Sequence, residues 1–271
     1  SDGGFFKTNK NSLLGSYVRC FVCDNQGIKF YVLHSKSMII EPNIFGVPSY
    51  IRSVGKLEFC NFNLIQIASC SKCGFSSNEK GHFNRSKTDN PSFSVEEFSV
   101  GWDEKISPLL KKAQEAADKY FGEDRDIKLG ILSYELAIAT FEQLASINPD
   151  IQKKAAVYRN QSSMLMTMSE LQMENKERDA AETNLKKVVD LWVPIFEHLK
   201  GTIIIHVCLL LFQIQIYFND LQSAGQYMKF LDNYDPDGKL DEKSDEAKEL
   251  KLSAAKLKAT FDDRGILTKE Q

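Results

Sequence analysis

Two short stretches decide the reading of this chain: Cys20-Phe21-Val22-Cys23, continuing Asp24-Asn25-Gln26-Gly27, and Cys70-Ser71-Lys72-Cys73-Gly74-Phe75. A two-residue gap lets two thiolates from one tight turn bind one ion. Structural zinc takes four ligands in a tetrahedron at about 2.3 Å from each sulfur. The two pairs together predict one structural zinc ion held by Cys20, Cys23, Cys70 and Cys73. Gly74 directly follows the second pair. A glycine there lets the backbone fold back so that amide N–H groups point at sulfur and stabilise its charge. The 46 residues between the pairs are many for a plain ribbon. The insert, about residues 30–60, must therefore carry structure of its own.

Other chemistries for the same cysteines are weaker fits. A thioredoxin-type dithiol sits in a βαβ context, and nothing of that kind surrounds either pair. Disulfides are not needed by a largely helical chain with an ample core. An iron–sulfur cluster uses the same ligands and stays open at this level. Four sulfurs fill a zinc shell and leave no open position for catalysis. A deaminase would need a His/Cys-x-Glu partner to its Cys-x2-Cys, and neither pair has one. His34, His82 and Cys60 lie in the same region as alternative ligands. The two histidines read better as loop or surface residues, and Cys60 as core. Cys208 and His206, inside an apolar helix, also read as core.

Around the pairs, residues 5–100 read as short β segments and loops. Tyr17–Phe21 and Ile28–Leu33 are rich in aromatic and β-branched residues, with a turn signal between them. Leu57–Ile67 is expected to be a strand running into the second pair, and residues 76–95 an exposed loop and linker. From Ile106 the period becomes helical. Helices are expected over about 106–120, 126–146, 151–173, 179–198, 202–219, 221–233 and 241–261, with short connections that make neighbours antiparallel. Three positions echo one another: Ala137-x3-Phe141-x2-Leu144, Ala181-x3-Leu185-x2-Val188 and Ala224-x3-Met228-x2-Leu231, each followed by a proline. The pattern suits the second helix of a tetratricopeptide-like hairpin, although the spacing of 44 and 43 residues exceeds the usual period of about 34. The expected fold is thus α+β and mainly α: a zinc-ribbon-like head over 1–100 and an antiparallel helical-hairpin domain over 101–271.

Composition supports the division. Residues 1–100 carry 11 basic and 8 acidic residues, and 101–271 carry 23 and 29. Five of the six cysteines and 14 of the 29 aromatic residues lie in the first part. A whole-chain net charge of −3 disfavours a protein that coats nucleic acid. The start, Ser1-Asp2-Gly3-Gly4, shows no export signal. The longest apolar run, 203–218, is broken by His206, Gln213 and Gln215 and is shorter than the roughly 20 residues of a membrane span, so no membrane insertion is expected. No phosphate-binding loop, dinucleotide fingerprint, zincin helix or nucleophile elbow is present. The acidic stretch Asp232–Asp245 places Gly238 too early for a calcium loop.

The order of features resembles a bacterial family catalogued as a domain of unknown function, the two-thousand-two-hundred-and-twenty-fifth of that series. The resemblance rests on Cys20-Phe-Val-Cys23, a mixed insert, Cys70-Ser-Lys-Cys73-Gly74-Phe75, a polar step to Phe83 and an all-helical remainder. Phe21 and Ser71 stand where that family usually has proline, which leaves the sulfurs unchanged. The resemblance implies a bacterial, cytoplasmic protein and no known reaction.

The expected function is a non-enzymatic, zinc-stabilised scaffold or adaptor that holds a protein or peptide partner on the helical domain. The helix over 151–173 would offer Tyr158, Arg159, Gln161, Ser162, Met164, Met166, Met168 and Gln172, unless its methionines fill the core instead. The alternative is a nucleic-acid-associated regulator that binds through the head, using Lys29, Lys36, Arg52, Lys56, Lys72, Lys80, Arg85 and Lys87. A net +3 over 100 residues is modest for that role.

Overall fold

The computed structural model describes residues 4–83, 94–233 and 252–262. Helix accounts for 58% of the structure and the strands are short and antiparallel, so the fold is α+β and mainly α. The chain divides into two compact units, 1–184 and 185–271. The compositional change near residue 100 therefore falls inside the first unit. The reason is packing: helices that follow residue 100 close over the cysteine pairs.

In the first unit, β1 (Phe5–Phe6), β2 (Leu13–Val18) and β3 (Ile28–Leu33) form one sheet in that order. Leu13 pairs with Leu33 and Val18 with Ile28. The insert carries its own hairpin, β4 (Met38–Pro42) with β5 (Pro48–Ser53), bulged between Ile39 and Ile40. Glu170 ties it down by accepting from Asn43 Nδ2 at 2.6 Å and from Ser49 Oγ at 3.3 Å. A last hairpin, β6 (Ala68–Ser69) with β7 (Ser76–Ser77), frames the second cysteine pair.

Leu57–Ile67 is not a strand, contrary to expectation. Asn61 caps a 3-10 turn over Phe62–Leu64 through its side chain. The backbone oxygens that a neighbouring strand would have engaged go to side chains instead. Tyr134 donates to Asn63 O at 2.7 Å, and Arg125 donates to Ile67 O at 2.8 Å. Gly130 allows this close approach, since a Cβ there would lie 2.8 Å from Leu64 Cδ2. The segment expected as loop and linker also holds structure: β7, a 3-10 turn at Lys80–His82, and the start of α1 (Val95–Ser99). Residues 84–93, with Arg85 and Lys87, lie outside the described residues.

The helices follow their sequence signals closely. They are α2 (Trp102–Glu115), α3 (Ala117–Tyr120), α4 (Ile127–Ser146) and α5 (Ile151–Glu174), then α6 (Arg178–Trp192), α7 (Thr202–Tyr217) and α8 (Leu221–Asn233). Asp126 and Asp150 cap α4 and α5 by accepting from the third backbone N–H beyond, the usual way an orphan donor is satisfied. The stretch expected to be helical to 198 stops at Trp192, where Pro194 turns the chain into a 3-10 segment over Val193–His198. The expected helix over 241–261 is helical where described, at 252–262, and Asp235–Glu242 lie outside the described residues. Ala137, Ala181 and Ala224 are fully buried and fall on α4, α6 and α8.

Of the two readings of α5, the one in which its methionines fill the core holds. Met164, Met166 and Met168 are buried, as are Gln161, Ser162 and Gln172. They pack inside rather than facing a partner, and Asn184 on α6 satisfies the Gln172 side chain at 2.7 Å. Tyr158 remains half-buried and Arg159 exposed. Cys60 belongs to a core cluster with Leu13, Tyr31, Met38 and Ile65, and Cys208 is buried on α7. Among the described residues, no helix is long and apolar enough to cross a membrane.

Candidate metal centre

Each cysteine pair is the turn of an antiparallel hairpin. Cys20 and Cys23 follow β2 and precede β3, and Cys70 and Cys73 lie between β6 and β7. The two turns repeat the same bonds. Cys20 N donates to Asn25 O at 2.8 Å, and Asp24 N donates back to Cys20 O at 3.2 Å. Cys70 N donates to Phe75 O, and Gly74 N to Cys70 O, both at 2.9 Å. Both turns need a left-handed residue after the second cysteine. Gly74 supplies it at φ +73°, and Asp24 supplies it at φ +65°. Asp24 is thus the counterpart of Gly74, a correspondence hidden in the sequence because aspartate does not signal positive φ as glycine does. The side chain of Asp24 is held by Arg19.

The turns face each other. All four sulfurs lie within 4.8 Å of one another, with Cys20–Cys73 and Cys23–Cys70 both at 3.5 Å. Sulfurs bound at about 2.3 Å around a tetrahedral ion are about 3.8 Å apart. A disulfide needs about 2.05 Å, and all six cysteines are free thiols. The donor set therefore fits one metal ion at its centre.

The electrostatics agree. Hydrogen bonds from Cys20 and then Cys73 hold the Cys70 thiol far below the ordinary range, aided by backbone N–H groups of Cys73 and Lys72. Cys70 in turn pushes Cys20 up, and Cys20 pushes Cys73 up. One ionised sulfur is stabilised by its neighbours' protons, and further ionisation is opposed by the charge already there. A cation held by the four sulfurs would replace those shared protons and remove the conflict. Asn25 Nδ2 also donates to Cys70 Sγ at 3.6 Å.

Helices from beyond residue 100 hold the second turn. Trp102 is 1% exposed and its indole N–H donates to Cys73 O at 2.7 Å. Gln114 donates to Ser71 O at 2.9 Å. Phe75, Phe83, Phe98 and Trp102 form a chain of aromatic contacts with ring centroids 4.7–5.6 Å apart. Neighbouring polar groups are buried in a bonded set: Ser69 with Tyr120 at 2.9 Å, Ser76 with Ser69 at 2.8 Å, and Ser76 N with Thr140 at 3.1 Å. Trp102→Phe keeps most of the packing and removes the bond to Cys73 O. It is expected to cost about 1–2 kcal/mol in urea unfolding, the price of a lost bond to a buried carbonyl. A change within error would show that the indole N–H contributes nothing.

Neither histidine joins the sulfurs. His34 is exposed beside Ser35 O. His82 pairs its Nδ1 with Ser77 Oγ at 2.6 Å and its Nε2 with Glu79, and burial lowers its pKa. Among the described residues the cluster that could hold a metal ion is Cys20, Cys23, Cys70 and Cys73.

Fold and site together define a mainly helical protein with a zinc-ribbon-like head, two cysteine hairpins closing on one point. Residues 14–199 match the model of a family described as uncharacterized protein conserved in bacteria (DUF2225). The chain belongs to that family. Comparison with curated proteins and with solved structures gives no match.

Proposed function

We propose that the four cysteines hold one structural Zn2+ and that the chain is a non-enzymatic scaffold or adaptor for a protein partner. Four sulfurs complete a tetrahedral shell, which supports a bracing role over Lewis-acid chemistry. Free thiols throughout suit a reducing compartment such as the cytoplasm. Buried Ala137 on α4, which packs on α5, and buried Ala224 on α8, which packs on α7, support tetratricopeptide-like hairpins within each unit taken by itself.

The observation that carries the partner is the β4–β5 hairpin. Ile40, Ile44 and Ile51 are 45%, 59% and 50% exposed there, and Ile39 is also exposed. Large aliphatic side chains clustered on one exposed hairpin are a mark of contact surfaces, and a two-stranded sheet leaves both its edges open for pairing. The helical surface at Tyr158 and Arg159 is the competing platform. The test is capture from the native cell with the parent, with Ile40→Asp/Ile51→Asp, and with Tyr158→Ala/Arg159→Glu. The hairpin variant should lose the partner by about tenfold or more, as for charge placed in an apolar contact, while retaining its metal. Loss only with the helical variant would move the contact to α5. Salt-sensitive retention on random nucleic acid by the parent would favour the regulator instead.

A further inference from the structure

Arg125 lies between α3 and α4 and is 6% exposed. Its Nε donates to Tyr120 O at 2.5 Å and its Nη1 to Ile67 O at 2.8 Å. The guanidinium lies 4.6 Å from the centre of the Tyr120 ring. Among the described residues, Nη2 has no acceptor and no carboxylate pairs with the group. A buried cation without a counter-charge is costly, by several kcal/mol before compensation. Carbonyl oxygens and a ring face offset part of that cost but carry no net charge. Burial accordingly lowers the Arg125 pKa.

Arg125 lines a cavity of 410 Å³ whose wall also includes Asn25, Gln26, Lys29, Ser71, Asp118 and Phe121. That volume lies within the range of small-molecule sites. Nη2 is the nitrogen left to meet what enters, since Nε and Nη1 are committed to carbonyls. Lys29 also lines the cavity, with its ammonium 5.9 Å from the centre of the Phe6 ring. Phe121 offers an apolar wall, and Asp118 opposes a ligand carrying more than one negative charge. We propose that this cavity binds a small organic carboxylate, with its oxyanion on Arg125 and its apolar part against Phe121. Asn25 joins the cavity to the metal centre through its bond to Cys70.

The probe is benzoate, titrated calorimetrically into the metal-loaded full chain at fixed ionic strength, with chloride and phenyl phosphate as comparisons. Benzoate should bind one to one with Kd below about 10 mM, a weak but specific range for a ligand of this size. Arg125→Gln should abolish binding. Because that variant also loses backbone bonds, Gln26→Glu is the second arm: a carboxylate at the cavity wall should weaken benzoate about tenfold, through like-charge repulsion, with an unchanged melting temperature. No saturable binding of benzoate would overturn the proposal. So would equal affinity in Gln26→Glu, and so would tighter binding of phenyl phosphate, which contradicts a site for one charge.

Discussion

Cys70→Ser is expected to reduce bound metal from about one per chain to less than about a tenth, because one missing thiolate opens a site whose affinity is coupled to folding. Elemental analysis of protein purified without added metal measures this directly. The consequence for the fold should be regional. Amides in β2, β3, β6 and β7 and in the Trp102 turn of α2 should exchange about 100-fold faster, corresponding to a loss of nearly 3 kcal/mol of local protection. The α4–α5 pair should keep most of its protection, because the two helices pack on each other along their length and bury many residues of their own. A strong chelator should reproduce the pattern in the parent. Uniform exchange across parent and variant, with metal lost, would show that the ion is bound without bracing the head.

The second large effect is expected at Gly74. Gly74→Val forces a β-branched residue into φ +73°, and its Cβ would lie 2.7 Å from Ile106 Cγ1 and 3.5 Å from Leu136 Cδ2. Backbone strain of about 1–2 kcal/mol and overpacking of about 1–3 kcal/mol sum to about 2–5 kcal/mol. Gly27→Ala provides the control. It has φ +78° but nothing within 4 Å of the added Cβ, so only about 1 kcal/mol of strain applies. Denaturant unfolding of both variants gives the comparison. Equal costs at the two positions would mean that contact with α2 does not restrain the second cysteine turn.

How much of this was legible in the residues depends on whether the deciding force is local. The helices from Asp126 onward announce themselves through apolar period and aspartate caps, and α4, α5, α7 and α8 begin and end within two residues of expectation. The cysteine set was legible from spacing alone. Leu57–Ile67 carries the apolar residues of a strand, while its conformation is decided by Arg125 and Tyr134, about 60–70 residues away. The β4–β5 hairpin gave no alternating pattern, since a bulge places Ile39 and Ile40 both in solvent. The methionines of α5 were ambiguous because burial and partner contact select the same side chain. Arg125 carried no signal at all, as nothing in its neighbourhood distinguishes a buried arginine from a solvated one.

The placement of the two cysteine turns also sets a timetable for synthesis. Cys23 and Cys70 are separated by 46 residues, and a ribosome adding about 5–20 residues per second takes roughly 2–10 s to cover them. During that interval the first hairpin has left the ribosome with two thiols and no partner pair. Even when Cys73 emerges, Trp102 and Ile106 have still to arrive behind it. The first hairpin therefore presents two thiols for seconds before the second pair exists, and the four-sulfur cluster is complete only once Cys73 has followed.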